Sequence, residues 1–135
     1  MFSTVTAGSS ETVRAVIDAY NARDMDAMMA RFHEDVVWHT TPGFLWPGPY
    51  RGRDAVRGLF EHWWQGWDTG YADADELVEA DDRVMVSADV HGRSAGDGLD
   101  VHVALNWIFH VRDGAIDLVR SYGSPDEARA ALGAG

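Results

Sequence analysis

At 135 residues, with 46% apolar and 24% charged side chains, the chain has the size and composition of one globular domain with a core of its own. It contains no cysteine, which excludes disulfides, thiolate metal sites and a cysteine nucleophile. The formal charge is −11 and every basic residue is an arginine, a balance that argues against a nucleic-acid partner because phosphate recognition needs clustered cations.

Residues 1–9 read as a loose tail ahead of a single domain spanning 1–135. The opening MFSTVTAGSS has neither the basic nor the apolar stretch of a secretory signal. No apolar run reaches the roughly 20 residues of a membrane span, so no membrane partner and a cytoplasmic location are expected. Ser9 or Ser10 is predicted to cap a first helix, with Glu11 in its opening turn. Val13, Val16, Ile17 and Tyr20 then fall on one apolar stripe. Asn21 to Asp24 breaks the pattern, and Asp24 is placed to cap a short helix carrying Met25, Met28, Met29 and Phe32, ended by His33-Glu34-Asp35. Val36 to Thr41 reads as a strand with Trp38 and Thr40 on one face and Val37 and His39 on the other.

Pro42 to Gly52 holds three prolines and three glycines and is a loop, yet Phe44, Leu45, Trp46 and Tyr50 are large for a solvated one; a lid or a packing surface is expected. A third helix is predicted from Arg53 to Trp67, its stripe Val56, Leu59, Phe60, Trp63 and Trp67. Tyr71 to Ala80 alternates weakly and is acidic, as an edge strand would be. Val84 to His91 is a clearer strand, followed by a polar, glycine-rich connection to Leu99. Val101 to Gly123 is a hairpin, because Asp113-Gly114 supplies the positive φ angles of a tight turn. One of its faces is apolar (Val101, Val103, Leu105, Trp107, Phe109, Val111). The other is mixed (His102, Ala104, Asn106, Ile108, His110) and is expected to face solvent or a second copy. Ser124-Pro125-Asp126-Glu127 is a capping box that starts a helix through Leu132. The whole is an α+β layout.

Four segments resemble the SnoaL-like branch of the nuclear-transport-factor-like superfamily, which includes ketosteroid isomerase and limonene epoxide hydrolase. They are Tyr20 to Ala27 (Y-N-A-x-D-x-D-A), Phe32 to Trp38 (F-x-x-D-V-x-W), Tyr50 to Val56 (Y-x-G-R-D-A-V) and Val111 to Ile116 (a late R-D-G-x-I turn). The resemblance implies a curved mixed, largely antiparallel sheet wrapped around N-terminal helices in a cone, with an apolar pocket at its open end. It also implies a homodimer and a small apolar or aromatic ligand.

The relatives' catalytic positions do not carry over. The Tyr, Asp and Asp of ketosteroid isomerase fall near Val16, Thr40 and Trp107, which offer no base or acid. The positions of limonene epoxide hydrolase fall near Trp38, Thr40, Asp89, His91 and Ser121, without its Tyr-Asn pair or its late Asp. Asp89 and His91 are the remaining acid–base pair, since residues two apart on a strand share a face. Alternation also permits the opposite register, in which Val84, Val86, Ala88 and Val90 face inward and Asp89 and His91 face out. His39, His62 and the histidines of the mixed hairpin face read as surface residues. No histidine spacing suits a metal, so no metal and no cofactor are expected. Trp38, Trp63, Trp67 and Trp107 point to one interior, either as core or as the walls of a ligand pocket with Tyr20 at its rim. Two functions follow. One is cofactor-independent isomerisation, cyclisation or hydration of a polyketide-, steroid- or terpenoid-like compound; the other is a non-catalytic binding or dimerisation module.

Overall fold

The computed structural model describes residues 8–41, 44 and 46–134; most of the expected tail, and Leu45 of the loop, lie outside the described residues. Helix α1 (Ser9–Asn21) buries Val13 and Val16 on the predicted stripe. Its cap is Gly8 rather than a serine. Glu79 accepts from Ser10 N at 2.7 Å and Ser9 Oγ donates to Asp81 O at 3.0 Å, so a neighbouring hairpin satisfies the helix start. The helix ends in a Schellman-type turn: Asp24 N donates to Ala19 O, Arg23 N to Tyr20 O, and Arg23 takes φ 54°.

Helix α2 (Met25–Met29) is capped by Asp24, whose Oδ1 accepts from Ala27 N at 3.1 Å. Here the sequence reading needs correcting. The helix stops before Phe32, and His33-Glu34-Asp35 belongs to strand β1 (Phe32–Trp38). The reason lies in the pairing of β1 with strand β6 (Ala115–Tyr122). Phe32 pairs with Ile116 and Val37 with Leu118, so β1 advances five residues where β6 advances two. The three charged residues fill that irregularity, where no apolar partner is required of them.

Strand β2 (Tyr50–Arg51) pairs with β1, and helix α3 (Arg53–Gln65) follows. Trp67 is not on α3. It opens strand β3 (Trp67–Ala80), which continues into β4 (Arg83–Ser94) and β5 (Asp100–Arg112). The Asp113-Gly114 turn into β6 has φ values of 54° and 78°, as the hairpin signal requires. Strand order is β2-β1-β6-β5-β4-β3 in one curved sheet, antiparallel except between β1 and β6. The long β3 lies at an edge, as its acidity suggested. A register shift between Ala74 and Glu76 and its carboxylates discourage a further strand from pairing there. Asn21 of α1 nonetheless grips it, giving Nδ2 to Ala72 O and taking Ala72 N on Oδ1.

The principal core joins Val13 and Val16 of α1 and Val56 and Leu59 of α3 to Val36, Val84, Val86, Phe109, Ile116 and Val119 on the inner face of the sheet. Helix α4 (Pro125–Ala134) covers part of the outer face, where Met85 and Ile108 meet Ala128 and Leu132. This corrects the expectation for the mixed hairpin face. Ile108 and Asn106 are buried, and Ser87 Oγ donates to Asn106 Oδ1 at 2.8 Å in the same layer. Ser124 Oγ accepts from Glu127 N as the capping box predicts, while Glu127 takes the N–H of Gly123 and Arg129 bridges to Glu76.

Gly92 is a point of close approach. A Cβ there would lie 2.2 Å from the Trp67 ring and 2.7 Å from Thr69 O, and the backbone oxygen cannot swing aside. Gly92→Ala is expected to destabilise the fold by roughly 1–3 kcal/mol in urea unfolding, the usual range for overpacking; a cost within 0.3 kcal/mol of zero would contradict this packing.

Candidate functional site

The open end of the inner face holds a cavity of about 90 Å³. Its wall is assembled from every layer facing it: Val16, Ile17 and Tyr20 of α1, Phe60 and Trp63 of α3, Trp38 of β1, Ala88 and Val90 of β4, and Leu105, Trp107 and Phe109 of β5. Met28, Thr40, Thr41, Phe44, Leu59, Ala72 and Ser121 complete it. Tyr20 is reached from the core stripe of α1, one turn beyond Val16. Trp38 is held edge-on by Phe60 at 5.3 Å, Phe109 at 5.9 Å and Trp107 at 6.3 Å. Such perpendicular contacts set the positive rim of one ring against the negative face of another.

Six of the nine residues singled out in the sequence line this cavity: Tyr20, Trp38, Thr40, Trp63, Trp107 and Ser121. Trp67 does not, because as the first residue of β3 it packs on Trp63 at 5.3 Å and against Gly92. Phe44, from the loop before β2, is a wall residue that alternation could not reveal; its only signal was its size in a loop. It stacks on Trp63 at 6.0 Å, and Trp46 stacks on His62 at 3.9 Å, so both rings lie against α3.

Asp89 and His91 do not reach the cavity. Ala88 and Val90 turn inward to its wall, so the intervening Asp89 and the following His91 turn to the outer face. His91 stands there in a parallel row with Tyr71 at 4.9 Å and His102 at 5.5 Å, one ring from each of β3, β4 and β5. Asp89 has a carboxyl neighbour. Asp75 is held above the usual carboxylate range by desolvation, then by the charge of Asp89, a hydrogen bond to it, and the charge of Asp73; His91 opposes the shift. The pair foreseen as acid and base thus sits on the outer face, away from the cavity.

The polar side-chain groups of the wall are hydroxyls and indole N–H groups. Ser121 Oγ donates to His39 O at 2.7 Å, Thr40 Oγ1 accepts from Gly48 N at 3.0 Å, and Tyr20 Oη accepts from Trp63 Nε1 at 2.6 Å. Burial pushes the Tyr20 phenol above its ordinary value, against the lowering effect of the indole hydrogen bonds and of Arg23. No carboxylate, imidazole or guanidinium is on the wall among the described residues. No cluster of three or more candidate metal ligands occurs among them either.

With this geometry in hand, comparison with known proteins is informative. The model of the SnoaL-like domain matches residues 13–119. The chain belongs to the SnoaL-like domain family. Solved structures of the nuclear-transport-factor-like fold share its architecture. A proposed polyketide cyclase from Xanthomonas campestris pv. campestris is similar at 26% identity and TM-score 0.69, covering 92% of this chain and 96% of that one. TerC, co-crystallised with polyporic acid, is similar in fold at 17% identity and TM-score 0.74, covering 93% and 98%. A ketosteroid isomerase-like protein from Catenulispora acidiphila, in complex with trimethylamine, shares the fold at 19% identity and TM-score 0.73, covering 91% and 92%. No functionally curated protein matches the sequence. No helix among the described residues is long and apolar enough to cross a membrane.

The outer-face carboxyls give a pH dependence with a definite sign. Asp75 binds its proton more tightly folded than unfolded, so stability falls as pH rises from the ordinary value of 3.8 through the raised one. Asp75→Asn is therefore expected to stabilise the protein at pH 7, with the gain vanishing below about pH 4. Urea unfolding of both proteins across that range is the check, and an equal gain at every pH would count against the carboxyl pair.

Proposed function

We propose that this SnoaL-like domain binds a small neutral apolar molecule in the aromatic cavity, with Tyr20, Trp38, Thr40, Trp63, Trp107 and Ser121 as ligand contacts. The observation that carries the reading is the wall itself: aromatic and aliphatic side chains with a few hydroxyls and no ionised group. Such a wall gains from desolvating apolar surface and penalises a charged ligand, whose hydration it cannot replace. It also lacks the groups for acid–base turnover by the routes of ketosteroid isomerase or limonene epoxide hydrolase, which favours binding over catalysis. Support of a general kind comes from the fold neighbours co-crystallised with small organic molecules.

Size narrows the class. An apolar cavity of roughly 150 Å³ admits benzene, and this one is about 90 Å³. A one-ring compound, or a branched chain of similar bulk, suits it with slight relaxation of the wall. A four-ring steroid or a folded polyketide demands that Phe44 and Trp107 move away. The rival reading, an enzyme acting on an apolar polyketide-like substrate, draws on the proposed polyketide cyclases of the same fold and would need Tyr20 as its one titratable wall group.

Tryptophan fluorescence reports directly on the site, since Trp38, Trp63 and Trp107 line it. One-ring probes such as cyclohexanone are expected to give a saturable change and a four-ring steroid none. Val90→Phe, which projects a ring into the cavity, should weaken one-ring binding at least tenfold, whereas Trp107→Leu should admit two-ring compounds. Tight steroid binding to the unaltered protein would refute the size argument. Multiple turnovers of a polyketide-like substrate, lost in Tyr20→Phe, would establish the enzyme instead.

A further inference from the structure

Tyr20 holds a position that cavity shape alone does not explain. Its Oη accepts from Trp63 Nε1 at 2.6 Å, and both residues line the cavity. A phenol oxygen that takes an indole N–H as acceptor still has its own proton to give, and an indole N–H is a donor only, so the proton cannot pass to Trp63. Among the described residues Tyr20 Oη has no acceptor for that proton. Of the other hydroxyls, Ser121 has committed its proton to His39 O; Thr40, which accepts from Gly48 N, keeps its proton as Tyr20 does, and what sets Tyr20 apart is the ring packing that fixes its direction.

The surroundings fix the phenol in place. The Tyr20 ring packs edge-on to Phe60 at 6.1 Å and against Trp64 at 5.6 Å, so the direction of the C–O bond is set by neighbours from α3. Burial raises the phenol above its ordinary value, so the O–H persists through neutral and mildly alkaline pH. A half-buried donor without an acceptor has lost part of its hydration, and an acceptor delivered by a ligand makes that loss good.

From this geometry we infer that Tyr20 is the orienting donor of the cavity and that its ligand carries one neutral acceptor oxygen, a ketone, aldehyde, quinone or ether, on an otherwise apolar frame. This rests on the binding reading above and goes further by assigning the ligand's single polar atom and the group that reads it. Trp63 acts through Tyr20: its N–H polarises the phenol and strengthens the donation. A pure hydrocarbon of the same shape fits the wall but leaves the O–H unpaired. A carboxylate would meet the donor but lose its hydration to the apolar wall.

A matched pair of probes separates the two levels of the argument. Cyclohexanone and methylenecyclohexane have nearly the same shape and differ in one acceptor oxygen. Their affinities are to be compared by tryptophan fluorescence, correcting each for its partition between water and alkane. After that correction, which removes the ketone's own desolvation cost, the unaltered protein is expected to prefer the ketone by more than about 10-fold. Tyr20→Phe should abolish the preference while retaining the alkene.

The carbonyl stretch of bound cyclohexanone gives a readout independent of stability. It should shift to lower frequency in the unaltered protein and return in Tyr20→Phe. Equal corrected binding of both probes, with no shifted stretch, overturns the donor inference and leaves the cavity reading intact. Loss of the preference in Thr40→Val but not in Tyr20→Phe also overturns it. Failure of both probes to bind overturns the cavity reading and this inference together.

Discussion

The packing of Trp38 holds the arrangement together. It is the last residue of β1, buried, and touches Phe32 behind it, Phe60 from α3, and Trp107 and Phe109 from β5. Helix α3 is thereby tied to the sheet through rings rather than through ion pairs. The salt bridges are exposed and salt-screened, and add little by comparison. Burying an aromatic side chain of this size contributes several times what an exposed ion pair does. Because five rings meet at Trp38, most of them edge to face, the inner surface cannot collapse fully, and the space left over is the cavity.

That origin explains its chemistry. A void left between rings inherits their apolar character, and polar atoms enter only where a strand end or a helix turn brings a hydroxyl to the border. Thr40 lies two residues past the end of β1 and Ser121 near the end of the adjacent β6, and Ser121 is spent on tying His39 to the sheet. Tyr20 comes from the last turn of α1, which Arg23 braces by donating Nη2 to Trp67 O at 3.0 Å and by standing over the Trp64 ring. The cavity is therefore bounded by structure that the fold requires in any case.

Much of this was legible in the residues. The stripe of α1, the Asp24 cap, the Asp-Gly hairpin and the Ser124 capping box are local signals, and local physics resolves them. What failed were questions about the far side of an element. Alternation along β4 and β5 shows that two faces differ, but not that α4 returns to cover one of them, so Asn106 and Ile108 looked exposed. The same ambiguity let Asp89 and His91 be read into the pocket. Ala88 is small enough to suit either face, and Val84, Val86 and Val90 argued for the register that occurs. Trp67 continued a helical stripe by spacing, yet Gly66 ended the helix one residue earlier. His33-Glu34-Asp35 misled for a different reason, since a run of three charges inside a strand is tolerated only at a register irregularity that no sequence pattern announces.

The single parallel pairing in the sheet bears on how the chain is made. Strand β1 finds its partner β6 some eighty residues later, between Val37 and Leu118. A nascent chain leaving the ribosome carries Phe32 and Trp38 for all that length before the strand that shelters them exists. Early helices and the β3–β4 hairpin can form in the meantime, but the inner sheet closes only after residue 119 has emerged. Domains of this topology therefore spend their synthesis with their most apolar surface uncovered, a state in which holdase chaperones find their clients.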